Sequence, residues 1–354
     1  MKATQNLYGL SMKRSLAFNK PLILAAALIL SACSDEVVEP KQAATEVIQM
    51  QCGQQWISVE HSDDQVLVQL GDSSLLLQAA MSASGARFES TVDDDSVFWS
   101  KGNTAQLRWR GQQYPQCVVF GTLAEPFQAR GNEPFWYITL QHGQLTIVQP
   151  NEPEQIIAAR QHTLDSAGQV LIESNDTSIS ARVVPGICND TMTGMPYPYH
   201  VAFNLAGHEL KGCGGQPEQL LQGVHWQVIE ILGQPLQPES SLRITFSTDE
   251  QVSGDAGCNR FSAQYSLTGE GLDIGALVTT RRACAPPLMQ QEQQFLNALA
   301  QVTGFDLTLD GQIWLLAAEQ PVLVAQLHGK DVVRLISVMS RIGDKLPRFV
   351  AVLN

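Results

Sequence analysis

The chain is laid out as short bursts of apolar residues at alternate positions, divided by glycine, asparagine and aspartate. Between residues 50 and 119 the bursts are 65-QVLVQL-70, 73-SSLLLQ-78, 97-VFWS-100 and 105-AQLRWR-110, punctuated by Gly71-Asp72, Gly102-Asn103 and Gly111. A period of two with turn residues between the runs predicts antiparallel strands with one buried face. The pattern continues through 122–216 as 136-WYITL-140, 144-QLTIVQ-149, 169-QVLIES-174 and 200-HVAFNLAG-207. Segment 217–329 adds 224-VHWQVIEI-231, 242-LRITFS-247, 264-QYSLTG-269, 312-QIWLLA-317 and 321-PVLVAQL-327. The period changes at 289-MQQEQQFLNALAQV-302, where Met289, Leu296, Leu299 and Val302 share one face of a helix, with Pro286-Pro287 stopping whatever precedes it. The fold class is mainly β and multidomain. It comprises an all-β unit at 50–119, a β-rich module at 122–216 and a β domain with one helix at 217–329. A 354-residue chain has room for two or three domains.

The first residues change the picture of where these domains reside. Lys2, Lys13, Arg14 and Lys20 precede the apolar run 21-PLILAAALIL-30, and no acidic residue comes before Asp35. That is the layout of a secretory signal over 1–32, with an apolar core too short to span a bilayer as a mature helix. Met12 opens a signal of more usual length and is a candidate start. Leu30-Ser31-Ala32-Cys33 resembles a bacterial lipobox. The resemblance implies a lipoprotein: lipidation of Cys33, cleavage before it, and acylation of the new amino terminus. Ser34 after that cysteine implies export to the outer membrane, with the chain facing the periplasm. Several acyl chains anchor firmly because each buried methylene adds about 0.8 kcal/mol. Residues 33–49, acidic and without aromatics, read as a flexible tether. The basic tail 330–354 is assigned no role.

Charge narrows the partners. The formal balance is −13, and loss of the four positive charges in 1–32 takes it to −17. A chain this acidic points away from nucleic acid and toward a basic partner.

Cysteine usage narrows the chemistry. With Cys33 assigned to lipid, Cys52, Cys117, Cys188, Cys213, Cys258 and Cys284 remain in an oxidising compartment. Six cysteines allow fifteen pairings. Clustering along the chain favours Cys52–Cys117, Cys188–Cys213 and Cys258–Cys284, each worth roughly 3–4 kcal/mol by chain-entropy arguments. A zinc set of Cys188, His200, His208 and Cys213 lacks a C-x-x-C knuckle, and a disulfide accounts better for its thiols. An oxidised sulfur is no nucleophile. The run 93-DDD-95 lacks the alternating spacing of a calcium loop and reads as a solvated acidic turn. No nucleophile elbow, metalloprotease motif or phosphate-cradling loop occurs. The expectation is a protein that is not an enzyme and uses no metal or cofactor.

Three segments carry family resemblances. The motifs 82-SASGARF-88 and 98-FWSKG-102, framed by Cys52 and Cys117, resemble the membrane-bound inhibitors of C-type lysozyme. The resemblance implies an eight-stranded antiparallel β-barrel whose S-x-S-G-A loop enters the lysozyme cleft. Ser84 and Lys101 are then the residues that engage the catalytic carboxylates, while Gly85 and Ala86 keep the loop thin. The chemistry is sound on its own terms. Lysozyme presents one protonated and one ionised carboxyl. A hydroxyl donates to one and accepts from the other, and an ammonium adds a charge-assisted bond. Segment 50–119 carries eight acidic residues against four basic ones, which favours encounter with a basic enzyme. Phe88 stands where the family usually has tyrosine, and 89-ESTVDDDSV-97 is about three residues longer than the family's equivalent, a difference able to spread Ser84 and Lys101 apart.

In 217–329, 252-VSGDAGCNRFSAQY-265, 279-TTRRAC-284 and a helix with Met289 and Glu292 resemble the META (HslJ-like) family, tied to envelope stress and antibiotic tolerance. Asn259, Arg260, Arg281 and Arg282 form a polar cluster there, read as structural bracing ahead of ligand binding. The middle segment, with 130-RGNEPFW-136, 188-CNDTMTGMPYPYHV-201 and 212-GCGG-215, is similar to an uncharacterised module of bacterial lipoproteins. Its aromatic and proline-rich stretch reads either as a contact surface or as core and turns. The leading function is inhibition of C-type lysozyme by an outer-membrane lipoprotein. The alternative is an envelope-stress or structural binding lipoprotein dominated by the META domain.

Overall fold

The computed structural model describes residues 47–327 except Asp94 and Glu239. The signal segment, Cys33, most of the expected tether and the basic tail lie outside the described residues. The described chain holds three antiparallel sheets, each around its own hydrophobic cluster.

The first sheet runs β1 (Val47–Cys52), β2 (Gln55–Ser62), β3 (Gln65–Leu70), β4 (Ser73–Ala80), β5 (Ala86–Glu89), β6 (Val97–Lys101), β7 (Thr104–Trp109), β8 (Gln112–Gln113) and β9 (Cys117–Val119). Consecutive strands pair from β1 to β7, and β9 lies between β1 and β7. The path therefore closes as an eight-stranded ring, with the short β8 beside β7. Closure leaves no free edge on so small a sheet. Alternation sends Ile57, Val59, Val66, Val68, Leu77, Phe88, Phe98 and Leu107 inward, all buried. The Cys52–Cys117 disulfide joins β1 to β9 at the point where the two strands pair. The first strand corrects the expected tether. Val47, Ile48 and Gln49 are already laddered to Glu60, Val59 and Ser58, because the β-branched pair Val47-Ile48 continues the alternation of Met50 and Cys52.

The middle sheet is a closed eight-stranded barrel between Phe127 and Gly214, its last strand returning to pair with its first at Ala129↔Gly214 and Arg130↔Cys213. Trp136 and Phe203 fill its interior with ring centroids 5.1 Å apart. Residues 196–201, weighed as surface or core, belong to the strand Pro196–Leu205. Met195 and Tyr197 are buried, and together with the Cys188–Cys213 disulfide they join the hydrophobic cluster of the third sheet. With those two sulfurs bonded to each other, the zinc set loses both of its thiolates.

The third sheet contains ten strands between Trp226 and Leu327. It is preceded by the short helix α1 (Glu218–Leu221) and covered by α2 (Pro286–Leu299). The helix differs from the sequence reading in where it starts and in which face it buries. Pro286 and Pro287 open it, since proline's missing N–H costs nothing in a first turn. Its buried face is Gln291, Glu292, Phe295, Ala298 and Leu299, whereas Met289 is 44% exposed and Leu296 only half-buried. Phe295 packs edge-on against Phe261 at 5.4 Å.

The three sheets meet without slack. The Gln54 N–H donates to the Gln222 carbonyl at 2.8 Å, and Gln54 Nε2 donates to the Gln219 carbonyl at 3.0 Å. Gly53 and Gly223 make that approach possible. A Cβ on Gly53 would lie 2.4 Å from the Gln222 oxygen, and one on Gly223 would lie 2.3 Å from the Cys52 oxygen. The first barrel also meets the chain that leads into the middle one, where Phe120 packs edge-on against Trp56 and Asn103 Nδ2 donates to the Leu123 carbonyl at 2.9 Å.

Candidate functional site

The site is built from the β5–β6 hairpin and the loop that enters it. β5 and β6 pair as Ala86↔Ser100, Arg87↔Trp99, Phe88↔Phe98 and Glu89↔Val97. One step before Ala86 lies Gly85, and one step after Ser100 lies Lys101. Gly85 holds φ +69°, a left-handed backbone that glycine accepts without steric cost. A Cβ there would lie 2.3 Å from the Ser100 oxygen and 3.3 Å from Lys101 Cβ. Ser84, Gly85, Ala86 and Lys101 thus gather at one rim of the barrel, all exposed.

Two side chains fix the loop. Trp99 Nε1 donates to the Ser84 carbonyl at 2.8 Å, and the Ser82 hydroxyl donates to the same oxygen at 2.6 Å. Trp99 is in turn flanked by the Arg87 guanidinium, 5.9 Å from its ring centroid, and Arg87 Nε bonds Glu89 at 2.7 Å. On the other strand, Thr104 Oγ1 donates to the Lys101 carbonyl at 3.2 Å, tightening the Gly102-Asn103 turn. The backbone at both residues is therefore held, while the Ser84 hydroxyl and the Lys101 ammonium have no partner among the described residues. Sequence reasoning quoted Trp99 within its motif but assigned it no role; an indole two residues from the lysine in a strand faces the same side, and that was the available signal.

The long segment after β5 does not spread this pair. Residues 90–96 connect β5 to β6 at the opposite end of the hairpin from Ser84 and Lys101, and the four-pair register absorbs the extra length. The described residues of that connection bond to one another and to Arg110. Ser90 N–H donates to the Ser96 carbonyl, the Asp93 carboxylate accepts from Ser90 Oγ and the Asp95 N–H, and Ser96 Oγ accepts from the Arg110 N–H at 2.8 Å. The Ser96 hydroxyl, with help from Asp95 N–H, Ser90 and the charge of Arg110, holds the Asp93 carboxyl below its ordinary range. Phe88, in place of the usual tyrosine, is a core residue in edge contact with His61 at 5.7 Å.

The polar cluster of the third sheet is arranged inward. Asn259 Nδ2 donates to Glu292 at 2.9 Å, and the Asn259 N–H donates to the same carboxylate at 2.7 Å. Asn259 Oδ1 accepts from Thr280 Oγ1 and from the Arg282 N–H. The Cys258–Cys284 disulfide closes the same node. The side chains of Arg260, Arg281 and Arg282 are exposed, with Arg260 facing Asp255 at 3.8 Å, so the bracing runs through Asn259 and the Arg282 backbone. No group of metal-ligating side chains occurs among the described residues.

Comparison with known proteins matches the two segments that hold these residues. Residues 51–116 match the family described as membrane-bound lysozyme-inhibitor of c-type lysozyme (MliC), and residues 219–329 match the META domain. The chain carries an MliC domain and a META domain. A curated relative from Yersinia enterocolitica, named membrane-bound lysozyme inhibitor of C-type lysozyme, is 39% identical over 83 residues, covering 23% of this chain and 64% of that protein. The match thus spans less than two thirds of that relative. Two NMR structures, one of a protein from Burkholderia xenovorans, are each 29% identical over 31% of this chain. They cover 84% and 94% of their own chains, with TM-scores of 0.26 and 0.27. The MliC match contains the Ser84 loop, Trp99 and Lys101; the META match contains the Asn259–Glu292 node.

Proposed function

We propose that this protein inhibits C-type lysozyme by seating the Ser84 loop and Lys101 in the enzyme's active-site cleft. The observation that carries the reading is the β5–β6 register. It brings a hydroxyl and an ammonium, neither with a partner among the described residues, to one exposed rim. In the cleft, the Ser84 hydroxyl donates to one catalytic carboxyl and accepts from the other. Lys101 places its charge on the ionised one. The hairpin is fixed before binding, so little conformational entropy is lost on docking. The acidic remainder of the barrel speeds encounter with a basic enzyme. In this reading the protein acts by occlusion and performs no chemistry. Lipidation at Cys33 holds it at the outer membrane of the envelope, facing the periplasm. The three sheets then serve as three domains, with the MliC barrel as the inhibitory one.

The test is a titration of residues 34–354 against C-type lysozyme acting on cell walls. Inhibition at micromolar protein or below is expected, and none at that concentration refutes the reading. Ser84→Ala and Lys101→Ala should each weaken inhibition by about 1–3 kcal/mol, the value of a hydrogen bond to a charged group. Both should leave thermal unfolding unchanged.

A further inference from the structure

The outer face of the same barrel carries a groove of about 180 Å³ lined by Arg87, Val97, Trp99, Gln106, Arg108 and Gln113. The strand pairings explain the grouping. Arg87, Trp99 and Gln106 form one cross-strand row, and Val97, Arg108 and Gln113 form the next. Alternation puts all six on the face opposite the core residues Phe88, Phe98 and Leu107. The two arginines differ. Arg87 is neutralised by Glu89 and rests on Trp99. Arg108 makes no ion pair among the described residues, and its Nε is buried with no hydrogen-bond partner. A guanidinium nitrogen withdrawn from water and left unbonded is costly, and once the side chain turns into the groove the acceptor that satisfies it best is a carboxylate taken in the two-pronged geometry of Nε and Nη.

We infer that this groove is a second anchor for the partner, accepting a carboxylate on Arg108 with the Gln106 amide alongside. The inference rests on the inhibitor reading and deepens it. Val97, Trp99 and Lys101 alternate onto one face of β6, so the groove continues the line of the Lys101 side chain. At about 3.4 Å per residue, Trp99 lies ~7 Å and Val97 ~14 Å from Lys101. A lysozyme whose catalytic carboxylates sit at the rim would present an acidic side chain from the edge of its cleft to Arg108 over that distance. Trp99 links the two contacts, because its indole both floors the groove and holds the Ser84 carbonyl.

The experiment measures equilibrium binding of the full mature chain to C-type lysozyme. Arg108→Gln should weaken it about tenfold and flatten its salt dependence. Arg108→Lys, which keeps the charge but loses the fork, should weaken it several-fold. A double-mutant cycle against single Asp→Asn and Glu→Gln variants of the lysozyme should reveal one carboxylate outside the catalytic pair that couples to Arg108. Unchanged affinity in Arg108→Gln, or no coupling at any such carboxylate, overturns the inference while leaving the rim mechanism standing. Should Arg108→Gln unfold, Arg108→Lys decides: unchanged affinity overturns the inference. No binding by the parent chain overturns the inhibitor reading itself, and this inference with it.

Discussion

The Ser84 rim and the Asn259 node are both built from short, specific motifs, and they spend their polar atoms in opposite ways. At the node, Glu292 accepts from two backbone N–H groups and the Asn259 amide, and Asn259 Oδ1 accepts twice more. These bonds are all internal to the node. At the rim, the hydrogen bonds engage the Ser84 carbonyl and N–H and the Lys101 carbonyl, and the Ser84 hydroxyl and Lys101 ammonium have no partner among the described residues. The middle barrel sides with the node. Burial works against the charge of Asp190, yet the N–H groups of Met192 and Thr193, with Asn132 and the Thr193 hydroxyl, outweigh it and hold the carboxyl below its ordinary range. A motif whose polar capacity is consumed internally is architecture; one whose backbone is braced and whose side chains are free is a candidate contact.

The sharpest way to break the contrast is Glu292→Ala. It strands three buried donors, each costing about 1–3 kcal/mol, so urea unfolding should report a loss of roughly 3 kcal/mol or more. Lysozyme inhibition by the remaining folded protein should be unaltered; parallel loss of both would mean the node and the rim are not separable. Gly85→Ala comes next. Its Cβ meets the Ser100 carbonyl in a left-handed backbone, at a cost of about 1–3 kcal/mol in strain. Here inhibition should fall more than the melting temperature does, because the loop distorts before the barrel opens. Trp99→Phe keeps a ring under Arg87 but removes the donor to Ser84. It should cost about 1 kcal/mol in binding and little in stability; an unchanged inhibition constant would show that Ser82 alone suffices to hold the loop. The smallest effect belongs to the middle barrel. Bonds from the Ser174 and Ser178 hydroxyls and the Ser178 N–H bring the Asp176 carboxyl from 3.8 down to about 2. A depressed carboxyl contributes stability above its unfolded value and loses it as pH falls. The melting-temperature difference between the parent and Asp176→Asn should therefore shrink between pH 4 and pH 2, with no effect on inhibition.

Much of this was legible in the alternation of apolar residues, which identified the mainly β class and many of the strands. What escaped has physical causes. The strand Gln155–Thr163 buries only Ala159 outright, so it lacks an inward stripe to betray it. The face of α2 was misjudged because hydropathy favours Met289 and Leu296, whereas Gln291 and Glu292 are buried by bonds from residues 30 to 55 positions away. At the rim, Ser84, Gly85, Ala86 and Lys101 were legible as motif residues, and register now joins them. The effect of the long 89–97 segment was not legible, since counting residues does not tell which end of a hairpin an insertion occupies.

The seam at Gly53 and Gly223 has a mechanical consequence. Where two backbones touch with no side chain between them, any larger residue at Gly53 or Gly223 must part the barrel from the segment that leads into the META sheet.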